Sequence, residues 1–283
     1  MTSTVDALRR GARDRLAAHS DSPDLDARLL LEHVLGVNHS WLVIHAEDDV
    51  DDAVCQQFAA LVARRAAGEP LAYLVGSVGF WTFELDVSPA VLIPRPDTET
   101  LVEAVLEAHG PEPRRLLDLG TGSGAIALAL AEERPAWRVT ATDASSQALD
   151  CARANAARLG LARLEFALGP WFEAVGDRCF DIIVSNPPYI AAGDSHLAAL
   201  THEPSTALVA ARQGLADLEQ IIAGAGRHLS AGGAVYLEHG ADQGAAVRAM
   251  FAGWQHVETR RDLAGNERVT RAFVDTHGGV HRS

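Results

Sequence analysis

Apolar residues in the first third of the chain recur at helical spacing. Leu30, Leu31, Val34 and Leu35 share one face ahead of Gly36. They follow a Ser22-Pro23 start, in which Ser supplies an N-cap and Pro the first turn. A second run, Val54, Phe58, Leu61 and Val62, begins near Asp51 and is stopped by Gly68. The acidic stretch 47–52 reads as a solvated loop and helix N-terminus, where carboxylates suit the helix dipole. Near Gly76 the pattern changes. Residues 78–93 are rich in aromatic and β-branched side chains, with a break at Ser88-Pro89, and predict a β-hairpin connector. From Arg114 onward, short apolar runs alternate with helical stretches. The candidate strands are 115–119, 138–142, 163–167, 180–185, 234–238 and 255–259, then 268–274 after a Gly265-Asn266 turn. Strands separated by helices predict a mostly parallel sheet wound on both faces. The expected organisation is α/β: helices over 1–75, a hairpin linker over 76–94, a doubly wound domain over 95–283, and a frayed tail at 277–283.

Composition bounds the chemistry. The 283 residues are 48% hydrophobic and 22% charged, ordinary for a large domain with a smaller one. No stretch approaches the roughly 18 apolar residues a membrane span needs. The arginines of the first 16 residues are not backed by an apolar run, so a secretory signal is not expected, and the cytoplasm is the expected compartment. Cys55, Cys151 and Cys179 stand far apart, without metal-ligand spacing, so neither a metal site nor a disulfide framework is expected. The formal net charge is −14, and all fixed positive charge is arginine, because the sequence contains no lysine. This removes a Walker-type phosphate lysine, a Schiff base and a pyridoxal anchor. It also disfavours direct nucleic-acid binding, which draws on clustered positive charge. No membrane partner is expected, and the expected state is a monomer.

The first candidate strand of the doubly wound domain ends in Asp118-Leu119-Gly120-Thr121-Gly122-Ser123-Gly124, and a helix follows at once. Three glycines at alternate positions let the backbone turn tightly and lie against a ligand. The second strand ends at Asp143. A carboxylate there either accepts ribose hydroxyls or caps the following helix; beside a glycine loop, ribose is the favoured reading. Gly120, Gly122 and Ala125 also satisfy a loose dinucleotide pattern. Asp118 at the strand end favours a ligand with a positive centre over a pyrophosphate. His239, after the 234–238 strand, reads as a structural histidine rather than a general base.

The fourth strand ends in Asn186-Pro187-Pro188-Tyr189. This tetrapeptide resembles the signature of methyltransferases that act on planar exocyclic or amide nitrogens. The nitrogen lone pair of such a group is delocalised and attacks poorly. The Asn186 side-chain oxygen and the Pro187 carbonyl can each accept one N–H, aiming the lone pair at a methyl donor. The prolines stiffen the loop, and Tyr189 can stack on a flat target. Further segments resemble bacterial release factor glutamine methyltransferases, the HemK/PrmC family: Ile93-Pro94-Arg95-Pro96-Asp97-Thr98-Glu99, Gly68-Glu69-Pro70-Leu71-Ala72-Tyr73, Phe80-Trp81, Glu203-Pro204, Glu238-His239-Gly240 and 261–268.

The resemblance implies a Rossmann-like class I fold with a seven-stranded sheet and a small N-terminal helical bundle that docks substrate. It implies S-adenosyl-L-methionine as cofactor, S-adenosyl-L-homocysteine as product and no metal. The implied substrate is the Gln of the Gly-Gly-Gln motif in class I peptide-chain release factors, methylated at N5. Carried over, Gly120, Thr121, Gly122, Ser123 and Gly124 line the methionine part of the cofactor, Asp143 holds its ribose and Trp171 packs on its adenine. Asn186, Pro187, Pro188 and Tyr189 bind the glutamine amide beside the donor. Arg95 and Glu99 either shape the cleft entrance for substrate or form a structural ion pair. Rival expectations are methylation of a ribosomal-protein glutamine and, against the acidity, of a nucleic-acid amino group.

Overall fold

The computed structural model describes residues 3–275. The tail expected to fray, 277–283, lies outside them. The chain divides into two compact units, Met1–Ser77 and Val78–Ser283.

The first unit is helical. It contains α1 (Val5–Leu16), α2 (Pro23–Leu35), α3 (His39–Ile44), α4 (Asp52–Ala66) and α5 (Leu71–Val75). Leu16, Leu30, Leu31, Phe58 and Val62 meet in its core, so the two periodic runs of the sequence face each other. Gly36 closes α2 with φ +67°, a left-handed cap that an L side chain resists. Pro23 starts α2, but the Ser22 hydroxyl makes no capping bond. Asp51 does cap α4, accepting from the Ala53 amide at 2.8 Å. The acidic stretch 47–52 is not wholly a solvated loop. Asp49–Val50 pairs antiparallel with Ser3–Thr4, and Val50 is buried.

From the last residue of the first unit the chain runs into the paired strands Ser77–Phe80 and Phe83–Asp86, a hairpin turning at Trp81-Thr82. The hairpin is shorter than the 78–93 connector expected, and it is not a free linker. Phe80 and Leu85 enter the main core, and Asp86 exchanges two hydrogen bonds with the Asn155 side chain, at 2.7 and 3.0 Å. Helix α6 (Glu99–Ala108) leads to the sheet. The sheet strands are β1 (Arg115–Leu119), β2 (Arg138–Asp143), β3 (Glu165–Leu168), β4 (Phe180–Ser185), β5 (Leu229–Glu238), β6 (Gln255–Arg261) and β7 (Glu267–Phe273). Their spatial order is β6-β7-β5-β4-β1-β2-β3. The first five are parallel, and β7 runs antiparallel between β5 and β6. Strand β5 starts five residues earlier than the 234–238 segment, because Leu229 pairs with Phe180 across a register shift.

Alternate residues of the central strands feed opposite faces. Leu116, Ile182, Val184 and Tyr236 join the core under α6 and α7 (Ala125–Glu133). Leu117, Leu119, Ile183, Val235 and Leu237 join the other, with helix 216–228. Between β1 and β4 the strand order reverses, and ligands of open α/β sheets bind at the carboxyl rim of such a switch point.

Candidate active site

Strand register brings the chemistry together. Leu119 pairs with Thr142 on one side and Ser185 on the other, and Ser185 pairs with Leu237. The next residue of each strand is therefore Gly120, Asp143, Asn186 and Glu238, four neighbours along one rim. A bond from Ser185 Oγ to the Leu119 carbonyl, 2.7 Å long, locks the central pair.

A cleft of about 520 Å³ opens above this rim. Gly120, Thr121, Gly122 and Ser123 form its floor, and Asp143, Trp171, Asn186, Pro187 and Pro188 stand around it. Gly120, Gly122 and Gly124 all have positive φ, which lets the loop turn under the cleft. Gly124 turns away from the cavity: a Cβ there would meet Leu128 Cδ1 at 3.0 Å, so this glycine serves the loop-to-helix packing. Trp171 has φ +42°, a costly conformation for a non-glycine residue, and its ring lies over the loop, with Cζ3 3.5 Å from where a Gly120 Cβ would stand.

The cleft wall has a distinct charge. Its ionisable residues are Asp143 and Asp217, with no basic side chain among the lining. Beneath the loop lies the fully buried Asp118. Its Oδ2 accepts from Thr121 Oγ1 at 2.6 Å, while Oδ1 has no partner. Burial pushes its carboxyl up to about 7, and the nearby Asp143 charge adds to the rise. Carboxylates in and under a wall without cations suit a cationic ligand and would repel a pyrophosphate. The residues present therefore fit the sulfonium and ammonium groups of S-adenosyl-L-methionine.

Asp143 makes two loop contacts. Its Oδ2 accepts from the Gly122 amide and its Oδ1 from the Ser145 amide, each at 2.9 Å. Ser145, not Asp143, caps the following helix through the Ala148 amide. Asn186 is held from outside its loop: Nδ2 donates to Thr98 Oγ1 at 3.2 Å, and Oδ1 is buried with no hydrogen-bond partner.

Three expected site residues lie elsewhere. Tyr189 is not part of the cleft lining. Its ring packs against the second core, its hydroxyl donates to Glu238 Oε1 at 3.2 Å, and burial pushes its pKa up. Arg95 and Glu99 do not pair with each other. Arg95 binds the buried Glu203, whose other oxygen accepts from the Ile93 amide at 3.1 Å. Glu99 accepts from the Trp81 amide at 2.8 Å. Both act on the segment leading to the cleft rather than forming its wall. The functional-reading residues the sequence did not single out are Thr98, Glu238 and Asp217. The first two lie inside segments quoted for the resemblance. His239 has both ring nitrogens engaged, with Gly240 O and Thr270 Oγ1 at 2.8 Å, and burial lowers its pKa. It has no free nitrogen for general-base work. Among the described residues, no cluster suited to a metal ion occurs, and no helix is long and apolar enough to cross a membrane.

Residues 7–76 match the family described as PrmC N-terminal domain, and 96–216 match the methyltransferase small domain. The release factor glutamine methyltransferase of Salmonella typhimurium is 50% identical over 255 residues, covering 89% of this chain and 92% of that protein. That of Vibrio cholerae is 46% identical over 276 residues, covering 95% and 96%. The chain belongs to the release factor glutamine methyltransferase family. Its fold is that of class I methyltransferases. A methyltransferase from Pyrococcus furiosus has the same fold, with TM-score 0.53 at 20% identity, over 75% of this chain and 97% of that one. This family consists of S-adenosyl-L-methionine-dependent methyltransferases.

Proposed function

We propose that this chain transfers the methyl group of S-adenosyl-L-methionine to the side-chain amide nitrogen, N5, of the glutamine in the Gly-Gly-Gln motif of class I peptide-chain release factors. The observation that carries this is the Asn186 amide. Its nitrogen is tied to Thr98 and its oxygen is a buried acceptor without a donor, which a carboxamide NH₂ would satisfy. An amide N–H bonded to Asn186 Oδ1, with its second N–H on the Pro187 carbonyl, lies with its π-face lone pair towards the rim. Asp143 and Trp171 line the same cleft and would hold the cofactor's ribose and adenine, while the buried Asp118 beneath the loop would favour its ammonium through charge alone. The cofactor supplies an electrophilic methyl carbon. The protein's contribution is alignment, for which well-oriented groups gain on the order of 7–11 kcal/mol. In the transfer that this chemistry implies, the methyl carbon would exchange its bond to the cofactor's sulfur for one to the amide nitrogen. The nitrogen then sheds one proton to solvent, leaving N5-methylglutamine and S-adenosyl-L-homocysteine. No strong base is required, because attack acidifies the N–H.

The deciding experiment uses purified protein with methyl-labelled cofactor. Label should enter a class I release factor, and a Gln→Ala change in its Gly-Gly-Gln motif should abolish incorporation. Label in that altered factor, in ribosomal protein or in DNA would defeat the reading.

A further inference from the structure

The Asn186-Pro187-Pro188-Tyr189 loop cannot be held as a strand is. Pro187 and Pro188 have no amide hydrogen, so neither can donate to a neighbouring ladder. The entry to the loop is fixed by β4, through the pairing of Ser185 with Leu119 and Leu237. Its exit needs other support. Just beyond it, Ile190-Ala191 pairs with Val209-Ala210, a parallel ladder of only two residues. The Tyr189 carbonyl, at the exit itself, accepts from Gln243 Nε2 at 3.0 Å.

Gln243 makes two further bonds with the same amide group. Its Oε1 accepts from the Gly240 amide at 2.8 Å, and its Nε2 also donates to the Gln213 carbonyl at 3.3 Å. These partners fix which way the group faces. A backbone N–H only donates and a backbone carbonyl only accepts. A half-turn exchanging oxygen and nitrogen would set Oε1 against two carbonyl oxygens and Nε2 against an N–H. The root of the side chain is fixed as well. The Gln243 amide donates to the Gly240 carbonyl at 3.0 Å, and its carbonyl accepts from the Val247 amide of helix 244–250 at 2.9 Å.

The segments that meet at Gln243 build the rim and wall of the cleft. Gly240 follows closely on Glu238, the rim residue of β5. Gln213 stands between Ala207 and Asp217, both in the cleft wall. There Arg212, Gln213 and Gly214 have φ of +54°, +59° and +84°, a run that non-glycine residues keep only where their surroundings impose it. A Cβ on Gly214 would stand 2.7 Å from Gln243 Nε2, so the bare glycine is what lets the amide reach in.

We infer that Gln243 is a positioning residue for methyl transfer. One side-chain amide ties the exit of the Asn-Pro-Pro-Tyr loop to the wall at Gln213 and to the turn after β5. It thereby holds Asn186 and the Pro187 carbonyl where the substrate amide needs its two acceptors. This rests on that loop as the binding site of the substrate amide. Gln243 stands outside the cleft lining, so it acts on the reaction only through the loop.

The test measures kcat and KM with a class I release factor, and Kd for S-adenosyl-L-methionine, well below each variant's melting temperature. Gln243→Leu keeps most of the bulk and removes all three side-chain bonds. Its kcat should fall roughly 10–100-fold, the scale of a misplaced reacting group, while cofactor Kd stays within about twofold. Gln243→Glu keeps the shape and the acceptor for Gly240 but turns a second oxygen towards two carbonyls. It should turn over no faster than Gln243→Leu. Asn186→Ala is run alongside. If it abolishes transfer while both Gln243 variants keep wild-type kcat, the positioning role is overturned and the reading of Asn186 stands. A loss of cofactor affinity equal to the loss of kcat would mark general damage and overturn the role too, as would a Gln243→Glu enzyme as fast as wild type. If Asn186→Ala itself transfers normally, the reading of the loop fails, and the role of Gln243 fails with it.

Discussion

Asp143 closes the glycine loop from the neighbouring strand, with Oδ2 on the Gly122 amide and Oδ1 on the Ser145 amide, both at 2.9 Å. Each oxygen retains a lone pair for the cleft, so one carboxylate shapes the loop and faces the ligand. Asp143→Ala removes both functions. Net loss of one charge-assisted bond to the ribose costs about 1.5–3 kcal/mol, so cofactor affinity should drop by at least about 10–100-fold. Calorimetric titration with S-adenosyl-L-methionine reads this directly. The kcat at saturating cofactor should change far less, and an unaltered Kd would refute the assignment.

Asp118 gives cofactor binding a pH dependence. Its carboxyl is raised to about 7 by burial, with the Asp143 charge next. A bound cation favours its ionised form, so binding expels a proton wherever the free protein holds one. Affinity should strengthen as pH rises through about 7 and level off above it, with a slope of at most about tenfold per pH unit below. Titrations in two buffers of different ionisation enthalpy should reveal the released proton, and Asp118→Asn should abolish both effects. The same group acts oppositely on the empty protein. Its folded pKa lies above the ordinary 3.8, so its contribution to stability is complete at low pH and fades as pH rises towards 7. The melting temperature of Asp118→Asn relative to wild type should therefore climb between pH 5 and pH 8.

Gly214 supports the Asn-Pro-Pro-Tyr loop from behind. Its φ is +84°, and a Cβ would stand 2.1 Å from the Tyr189 carbonyl oxygen. Gln243 Nε2 donates to that same oxygen at 3.0 Å. Gly214→Ala must displace the loop as well as strain the backbone, so both melting temperature and kcat should fall. Gly253 has a similar φ of +86° with nothing within 4 Å of a Cβ. Gly253→Ala carries only the backbone cost, about 1 kcal/mol, and should leave kcat alone. Equal effects from the two substitutions would show that the close approach at Gly214 is unimportant.

What was legible in the sequence is what is local. The glycine loop, Asp118, Asp143 and Asn186 each sit at the end of an apolar run, and a run followed by a turn is a one-dimensional signal. Parallel pairing then aligns those ends without further information. Element boundaries were less legible where pairing overrides local preference. Strand β5 extends back through Gly232-Gly233 because Leu229 finds Phe180, a partner that composition does not reveal. The least legible features join distant segments. Ile93 meets Glu203 across 110 positions, and Asn186 meets Thr98 across 88. Tyr189 follows the same logic. As a residue type it suggested stacking, but the buried Glu238 and the second core determine where its ring goes.

Asn186 offers the sharpest separation of binding from chemistry. Its Oδ1 is the acceptor assigned to the substrate amide, and its Nδ2 is held by Thr98. Asn186→Ala deletes both and leaves the glycine loop, Asp143 and Trp171 untouched. Turnover should fall on the order of 100-fold or more, as when a positioned polar group at a reacting centre is removed, while cofactor Kd stays within a few-fold. Asn186→Asp is the finer probe. It keeps an acceptor but replaces the donor that faces Thr98 with a second oxygen. It also places a negative charge where Oδ1 is buried without a partner, so Asn186→Asp should transfer poorly despite its conserved shape, and recover partially at low pH as the aspartate protonates. Single-turnover rates with pre-bound cofactor distinguish this from weakened binding, and an Asn186→Asp enzyme as fast as wild type at neutral pH would remove the amide from the mechanism.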